Sequence, residues 1–490
     1  MRLSELIASG PGPAALSRDP EIVGLSADSR AVKPGFLFAA LAGTRHKGSD
    51  FIADAVRQGA VAVLAAPDAA PAADAFPIAL IVDPNPRRRL ALMAAQFFGR
   101  QPKTVAAVTG TNGKTSVAAF TRQIWIRLGR RAASIGTLGV IADGVANDLH
   151  HTTPDPVSLH EALAALADAG ISHLALEASS HGLDQSRLDG VAIVAAAFTN
   201  LTRDHFDYHP SVDAYFKAKA RLFEILLPAG GTAVINADTP EAERLEAIAR
   251  ARGHRLLRFG ARGHELALLE RRDDSGGQAL VLDMLGQRRE IFLPLPGAFQ
   301  ASNALAALGL AIGGGEAADA ALGTLEALRS VRGRLELIGR HPCGAPVYVD
   351  YAHTPDGLET VLRALRPYAR HRLAVVFGCG GDRDKGKRPL MGQVAATLAD
   401  SAIVTDDNPR TEEGAAIRRA ILATCPAASE IGDRRRAIEA AIAALEAGDA
   451  LVIAGKGHED GQIVGATIIP FDDASVAREA LCALGGEILS

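Results

Sequence analysis

The stretch VAAVTGTNGKTSVAAF, Val105 to Phe120, decides the architecture. Its apolar opening predicts a buried strand, Gly110 and Gly113 a tight turn, and the run from Lys114 onward a helix. Two glycines in such a turn let the backbone fold around an anion. Successive N–H groups and the helix N-terminus then face phosphates. In that arrangement Lys114 neutralises the β- and γ-phosphates and the Thr115 hydroxyl reaches Mg²⁺, while Thr111, Asn112 and Ser116 complete the loop. The general G-x-x-x-x-G-K-[ST] pattern asks for glycine at position 108, where this chain has Val108, so Gly110–Ser116 reads as a specialised subclass. A phosphate loop by itself serves kinases, GTPases, motors and ligases alike.

Outward from this loop, short apolar strands alternate with Gly- or Asp-rich turns and Ala/Leu-rich helices. That rhythm predicts an α/β protein with parallel sheets. At 490 residues the chain exceeds what one core can organise, and three stretches differ in character: 1–84, 85–331 and 332–490. The third holds four strand-like runs, Val347–Asp350, Leu373–Phe377, Ala402–Thr405 and Ala450–Ala454. Each is followed at once by a polar cluster: YAHTPDG, GCGGDRDKGKR, DDNPR and GKGHED. Ligands bind beyond the carboxyl ends of strands in open parallel sheets, so four such clusters on one edge predict one binding surface.

Hydrophobic residues at 48% and charged residues at 22% describe a folded chain, and a net charge of -4 gives no electrostatic case for a nucleic-acid partner. Cys343, Cys379, Cys425 and Cys482 are widely spaced, which fits a reduced compartment and speaks against a cysteine zinc site. The opening MRLSELIASGPGP lacks the apolar stretch of a signal peptide, and no run approaches the ~20 residues of a membrane span. The expected location is the cytoplasm. There are no internal repeats at solenoid periods.

A second group of polar residues follows the next strands. Glu177 ends the strand-like HLALE, where a carboxylate needs either a paired cation or a metal, and the sequence leaves both open. Asp204, His205, Asp207 and His209 crowd the end of another strand, a hard-oxygen set with imidazole that suits Mg²⁺ or Mn²⁺. A helix is expected over SVDAYFKAKARLFEILL, with Tyr215, Phe216, Leu222, Phe223 and Leu226 on its apolar side and Lys217 solvated.

Ten segments in order (TGTNGKTS, HTTP, LEASSHGLDQSR, TNLTRDHFDYH, AKARLF, VRGRLE, DYAHTPD, GCGGDRDKGKRP, DDNPR and GKGHED) resemble the Mur ligase family over essentially the whole chain. The resemblance implies an N-terminal uridine-nucleotide domain, a central P-loop-type parallel-sheet ATPase domain and a C-terminal Rossmann-like domain that binds the incoming amino acid. It implies that Ser29 and the loop Thr44, Arg45 and His46 contact a UDP-sugar. Thr152, Thr153, Ser179, Gln185 and Arg187 would hold a muramoyl-dipeptide, with His151 where the family often has asparagine. By the same resemblance Lys219 is a carbamylated lysine (N6-carboxylysine) that holds magnesium with Glu177 and His205. Asn303, Arg334, Asp350 and His353 take ATP-binding positions, and Arg334 joins Lys114 in catalysis. Domain closure would keep water from an acyl phosphate.

The tetrapeptide Asp407-Asn408-Pro409-Arg410 bears on the choice of amino acid. Pro409 restricts Asn408 to extended geometry, and Arg410 offers a planar pair of donors suited to a carboxylate. In the family, Arg at this position accompanies use of diaminopimelate, which carries a second carboxylate that lysine lacks. Arg383, Gly455 and Glu459 resemble the other contacts to that substrate, Glu459 facing its distal ammonium. A site built to pair a carboxylate can reject an analogue without it by a factor on the order of 10⁴. The resulting expectation is an ATP- and Mg²⁺-dependent monomeric ligase joining meso-2,6-diaminopimelate to UDP-N-acetylmuramoyl-L-alanyl-D-glutamate through an acyl phosphate, in peptidoglycan synthesis. The alternatives are a lysine-adding ligase, another carboxylate–amine ligase such as a folylpolyglutamate synthetase, and a nucleotide-dependent scaffold.

Overall fold

The computed structural model describes residues 1–8, 18–43, 47–72, 75–144, 152–202, 208–274 and 276–489. The chain condenses into two compact units. One comprises Met1–Ala267 with Leu305–Thr324, the other Leu268–Ala304 with Leu325–Ser490.

The first unit opens with a parallel sheet in the order Gly24–Ser26, Phe36–Ala40, Ala62–Ala65, Ala79–Val82. Side chains alternate across it. Leu37, Ala39, Leu64 and Ile81 enter one apolar cluster, and Phe38, Ala40, Val63 and Ala65 the other. The helix Pro86–Phe98 that follows has every signal of a helix start and stop: an Asn85 side-chain cap, Pro86 in its first turn, and Gly99 in the left-handed region at its end.

A second sheet in this unit runs in the order Arg255–Gly260, Thr232–Asn236, Ile193–Phe198, Thr104–Thr109, His173–Glu177, Ala132–Gly136, Gly139–Ile141, parallel except for the last hairpin. The strand Thr104–Thr109 is therefore flanked by the strands ending in Glu177 and in Phe198, and their carboxyl ends share one edge. The helix expected to run to Leu227 is α-helical only over Val212–Arg221. It widens into a π-turn at Leu222–Leu226, with the Leu227 amide bonded back to the Leu222 carbonyl at 2.9 Å. The widening seats Leu222 and Phe223 in the core and leaves Leu226 only partly buried against it.

The second unit contains the antiparallel hairpin Gly277–Met284 and Gln287–Leu293. Its main sheet runs Ser429–Glu430, Ser401–Val404, Leu373–Phe377, Ala450–Ala454, Pro346–Asp350, Glu336–Arg340, Glu487–Ile488. All neighbours are parallel up to Pro346–Asp350, and the last two strands are antiparallel. Leu373–Phe377 and Ala450–Ala454 form as expected. The third expected strand starts one residue early, at Ser401 opposite Ala374, and releases Thr405 to the loop. Both faces are buried: Val375, Phe377 and Val452 on one, Val376, Leu451 and Ile453 on the other. This explains why these strands read as continuous apolar runs. The parallel register brings the segments after Asp350, Phe377, Val404 and Ala454 to one edge. Among the described residues no helix is long and apolar enough to cross a membrane.

Candidate active site

In the first unit the glycine loop Gly110–Ser116 is held by its neighbours. Gly110 has φ +151°, and a Cβ there would sit inside the Thr199 hydroxyl and 3.1 Å from the Asn200 amide. Gly113 caps the helix Lys114–Arg127 from the left-handed region. The segment after Phe198 grips the loop from the side. The Asn200 carbonyl accepts from the Thr111 amide at 2.9 Å, the Asn200 Oδ1 accepts from the Asn112 amide at 2.9 Å, and the Thr199 hydroxyl donates to the Asn112 carbonyl at 2.6 Å. Lys114 Nζ lies over the loop, donating to the Gly110 and Thr111 carbonyls at 2.9 and 2.8 Å. Ser116 is buried at the start of the helix. Thr199 and Asn200 are visible in the sequence only as residues following a strand, and their role comes from parallel register.

Glu177 is 2% exposed. Its Oε1 accepts from the Thr137 amide at 2.9 Å, and its Oε2 from the Thr115 and Thr137 hydroxyls, both at 3.2 Å. A methyl on Gly136 would fall into this carboxyl group, 2.5 Å from Cγ and nearer still to Oε1. Among the described residues the partners of Glu177 are neutral donors, so the paired-cation alternative left open by the sequence finds no support there. A buried carboxylate beside a threonine hydroxyl, in a cradle kept open by glycine, is a hard-oxygen set that fits Mg²⁺. No group of three or more metal-ligating side chains is assembled among the described residues. His205, and with it Asp204 and Asp207, lies outside them.

Lys219 is 1% exposed, donates to the Gly110 carbonyl at 2.7 Å, and sits 4.4 Å from the Tyr215 ring centroid. Tyr215 reaches Thr111, hydroxyl to hydroxyl, at 3.2 Å. Lys217 is exposed and pairs with Asp213 at 2.9 Å, as a solvated helix lysine should.

Thr152, Thr153, Ser179, Gln185 and Arg187 form a connected set. The Thr153 hydroxyl donates to the Glu177 carbonyl at 2.9 Å and accepts from the Ser179 amide at 3.0 Å. Arg187 bonds the Thr153 carbonyl at 2.6 Å and Gln185 Oε1 at 2.8 Å. Gln185 donates to the Tyr208 hydroxyl at 3.2 Å, and Thr152 meets Thr137 at 3.1 Å. Thr137, which no motif singled out, thus links the carboxylate to this set. His151 lies outside the described residues, as do Thr44, Arg45 and His46. Ser29 starts a short 3₁₀ turn capped by Asp28 and lines a cleft with Asp28, Arg30, Phe38 and Arg57.

In the second unit Arg334 stacks its guanidinium 4.5 Å over the Tyr351 ring, which also packs against His353 at 4.5 Å and His458 at 4.9 Å. Asp350 is buried and accepts from the Leu335 and Ala352 amides at 2.6 and 2.7 Å. Burial pushes its pKa up to about 6 against the pull of Arg334 and those two amides. Burial, together with Arg334 and Arg332, pushes His458 down to about 4, so its imidazole is neutral near pH 7. Asn303, buried in the helix Ala298–Gly313, bonds Gln300 at 3.2 Å.

The segment Asp407–Arg410 is laced to the hairpin Gly461–Pro470. The Arg410 amide donates to the Ile463 carbonyl at 3.0 Å, the Arg410 carbonyl accepts from Gly465 at 2.7 Å, and Gln462 Nε2 donates to the Asp407 carbonyl at 2.7 Å. Arg410 has φ +52°, rare for a side-chain-bearing residue, and this pairing holds it there. Its Nη1 donates to the Gly381 carbonyl at 2.8 Å. Among the described residues no carboxylate lies within ion-pair distance of it. Asn408 donates to Glu459 at 2.8 Å. Gly455 has φ +120°, and a Cβ there would stand 2.7 Å from Asp407. Beneath it Arg434 and Asp473, both fully buried, form a paired bridge at 2.7 Å, and Arg434 also bonds the Ala454 carbonyl at 3.0 Å. Arg383 is exposed, yet with Glu459, Arg334 and Asp407 it bears electrostatically on the Tyr351 phenol.

Models of the Mur ligase family match residues 21–98 (catalytic domain), 108–311 (middle domain) and 333–457 (glutamate ligase domain). A protein of Mesorhizobium japonicum named UDP-N-acetylmuramoyl-L-alanyl-D-glutamate–2,6-diaminopimelate ligase is 53% identical, over 98% of this chain and 99% of its own. Its namesake in Bradyrhizobium diazoefficiens is 54% identical with the same coverage. A solved structure of a ligase of that name superposes with a TM-score of 0.71 at 35% identity, covering 95% of both chains. A folylpolyglutamate synthase of Mycobacterium tuberculosis shares the fold, with a TM-score of 0.63 at 22% identity over 82% of this chain and 96% of that one.

Proposed function

Because the chain belongs to the Mur ligase family, we propose that it joins meso-2,6-diaminopimelate to UDP-N-acetylmuramoyl-L-alanyl-D-glutamate with conversion of ATP to ADP and phosphate. The observation that carries the choice of amino acid is Arg410, a guanidinium held in a costly backbone conformation with no carboxylate within ion-pair distance among the described residues. Near-full-length relatives bearing that enzyme's name support the same reading.

The work divides among 1–84 for the uridine nucleotide, with Ser29 and Thr44–His46; 85–331 for ATP and the muramoyl-dipeptide; and 332–490 for the amino acid. Gly110–Ser116 wrap the phosphates, and Lys114 offsets their charge. Asn303, Arg334, Asp350 and His353 take the ATP-contacting roles that the family pattern implies. Thr115, Glu177, His205 and a carbamylated Lys219 would hold Mg²⁺. When bound, the ion supplies positive charge at the transferring phosphoryl group. Thr152, Thr153, Ser179, Gln185 and Arg187, with His151, orient the dipeptide so that its terminal carboxylate meets the γ-phosphorus. An O–P bond forms as ADP leaves.

Asn408, Arg410, Gly455, Glu459 and Arg383 then hold the diamino acid. Its amine bonds the acyl carbon and loses a proton, the C–O bond to phosphate breaks, and inorganic phosphate departs. Asp407 and Pro409 fix the turn that presents Asn408 and Arg410. The protein acts as a cytoplasmic monomer.

The test is a phosphate-release assay with ATP, the UDP-muramoyl dipeptide and a panel of diamino acids. Release should require both the dipeptide and meso-diaminopimelate. Equal turnover with L-lysine would remove the proposed amino-acid assignment, and release without the dipeptide would remove the ligase reading.

A further inference from the structure

Lys456, in the polar cluster that follows the strand Ala450–Ala454, is fully buried, with 0% exposure. It follows Gly455 at the end of Ala450–Ala454, and its ammonium is enclosed by three acceptors: Asn408 Oδ1 at 3.1 Å, Glu459 Oε2 at 2.8 Å and the Gly461 carbonyl at 2.6 Å. An ammonium has three N–H donors, so its capacity is filled.

The consequence falls on Asn408 and Glu459. Asn408 Oδ1 also accepts from the Ile463 amide at 2.9 Å, so its acceptor side is fully used. Its amide is thereby turned with Nδ2 toward Glu459 Oε2, bonded at 2.8 Å. Glu459 has both of these bonds on Oε2, which leaves Oε1 as the oxygen with room for a ligand donor. Gly461 is the first residue of the hairpin that holds Arg410. One buried cation therefore sets the donor polarity of Asn408, the orientation of Glu459, and the base of the hairpin behind Arg410.

We propose that Lys456 is a positioning residue for recognition of the diamino acid, acting through Asn408 and Glu459 without contact with the substrate. The inference rests on the reading of these residues as the amino-acid site. A methionine at 456 would fill similar volume but leave buried acceptors facing one another, and Asn408 would gain by turning its oxygen the other way.

Steady-state kinetics of Lys456→Met and Lys456→Arg test it, with each of the three substrates varied in turn. The KM for meso-diaminopimelate should rise on the order of 10- to 100-fold in Lys456→Met, as expected for a buried polar group left unpaired. The KM for the UDP-dipeptide should stay within about threefold, because the effect is local. Preference for diaminopimelate over L-lysine should fall, since a turned Asn408 would present oxygen to a carboxylate. Lys456→Arg keeps the charge but cannot converge three donors on one point. It should show the same selective KM rise, and it carries the test if the methionine variant does not fold. An unchanged diaminopimelate KM in either folded variant, or an equal rise in all three KM values, overturns the proposal. If the wild-type enzyme prefers another amino acid, the function reading fails, whereas a KM rise confined to that amino acid would still bear out the role of Lys456.

Discussion

Gly136→Ala adds one methyl group, removes no functional group, and should nevertheless disable the enzyme. The new Cβ would stand 2.5 Å from Glu177 Cγ and closer to the carboxylate oxygen. Restoring ordinary contact requires Glu177 to retreat by about 1 Å. The carboxylate is held by the Thr137 amide at 2.9 Å and two threonine hydroxyls at 3.2 Å, and a shift of that size breaks this set. Overpacking of this kind costs about 1–3 kcal/mol of stability. The catalytic loss is larger in effect, because a misplacement of about 1 Å at the reacting centre costs on the order of 100-fold in kcat. Phosphate release at saturating substrates, with a thermal melt and a magnesium titration, reads both effects. Gly323→Ala, at a helical glycine with open space around its Cβ position, is the control and should leave activity intact. A folded Gly136→Ala enzyme with kcat within about threefold of wild type would refute the placement of Glu177 at the chemistry.

Asp473→Asn should destabilise the fold by about 3–5 kcal/mol, because it leaves the fully buried Arg434 guanidinium uncompensated; urea unfolding reads it, and a loss under about 1 kcal/mol would show the pair to be inert. Asp350 has its pKa raised by burial to about 6, so its contribution is present at low pH and is lost as pH rises from about 4 through about 6. The stability of wild type relative to Asp350→Asn should thus fall by up to about 3 kcal/mol over that window and stay flat above it, which urea melts across pH will show or deny. Lys219→Ala should lose turnover that high bicarbonate does not restore, and near-normal turnover would remove Lys219 from the metal set.

The strand–glycine turn–helix around Gly110–Ser116 was legible because its signals are local: two glycines, a lysine and a threonine between a strand and a helix suffice to state it. The convergence of the four polar clusters on one edge of the C-terminal sheet was legible for a related reason, since strands buried on both faces, such as Ala450–Ala454, stand out as apolar runs and their polar followers mark the edge. What escaped was non-local. Thr137 and Thr199 bond across strand neighbours 40 and 87 residues away in the chain, and nothing in their immediate sequence signals it. Lys456 escaped although it sits inside a recognised motif, because a lysine between glycines reads as a solvated turn until its three acceptors are seen. The helix after Ser211 was misjudged in length because its apolar period continues through the π-turn, where the widening leaves Ile225 exposed.

Selectivity of Arg410→Ala tests the central claim, that a strained guanidinium at the sheet edge reads the distal carboxylate of the incoming amino acid. The ratio of kcat/KM for meso-diaminopimelate to that for L-lysine should collapse by a factor on the order of 10³ or more, with the KM values for ATP and the UDP-dipeptide little changed. A ratio equal to that of the wild-type enzyme would contradict it.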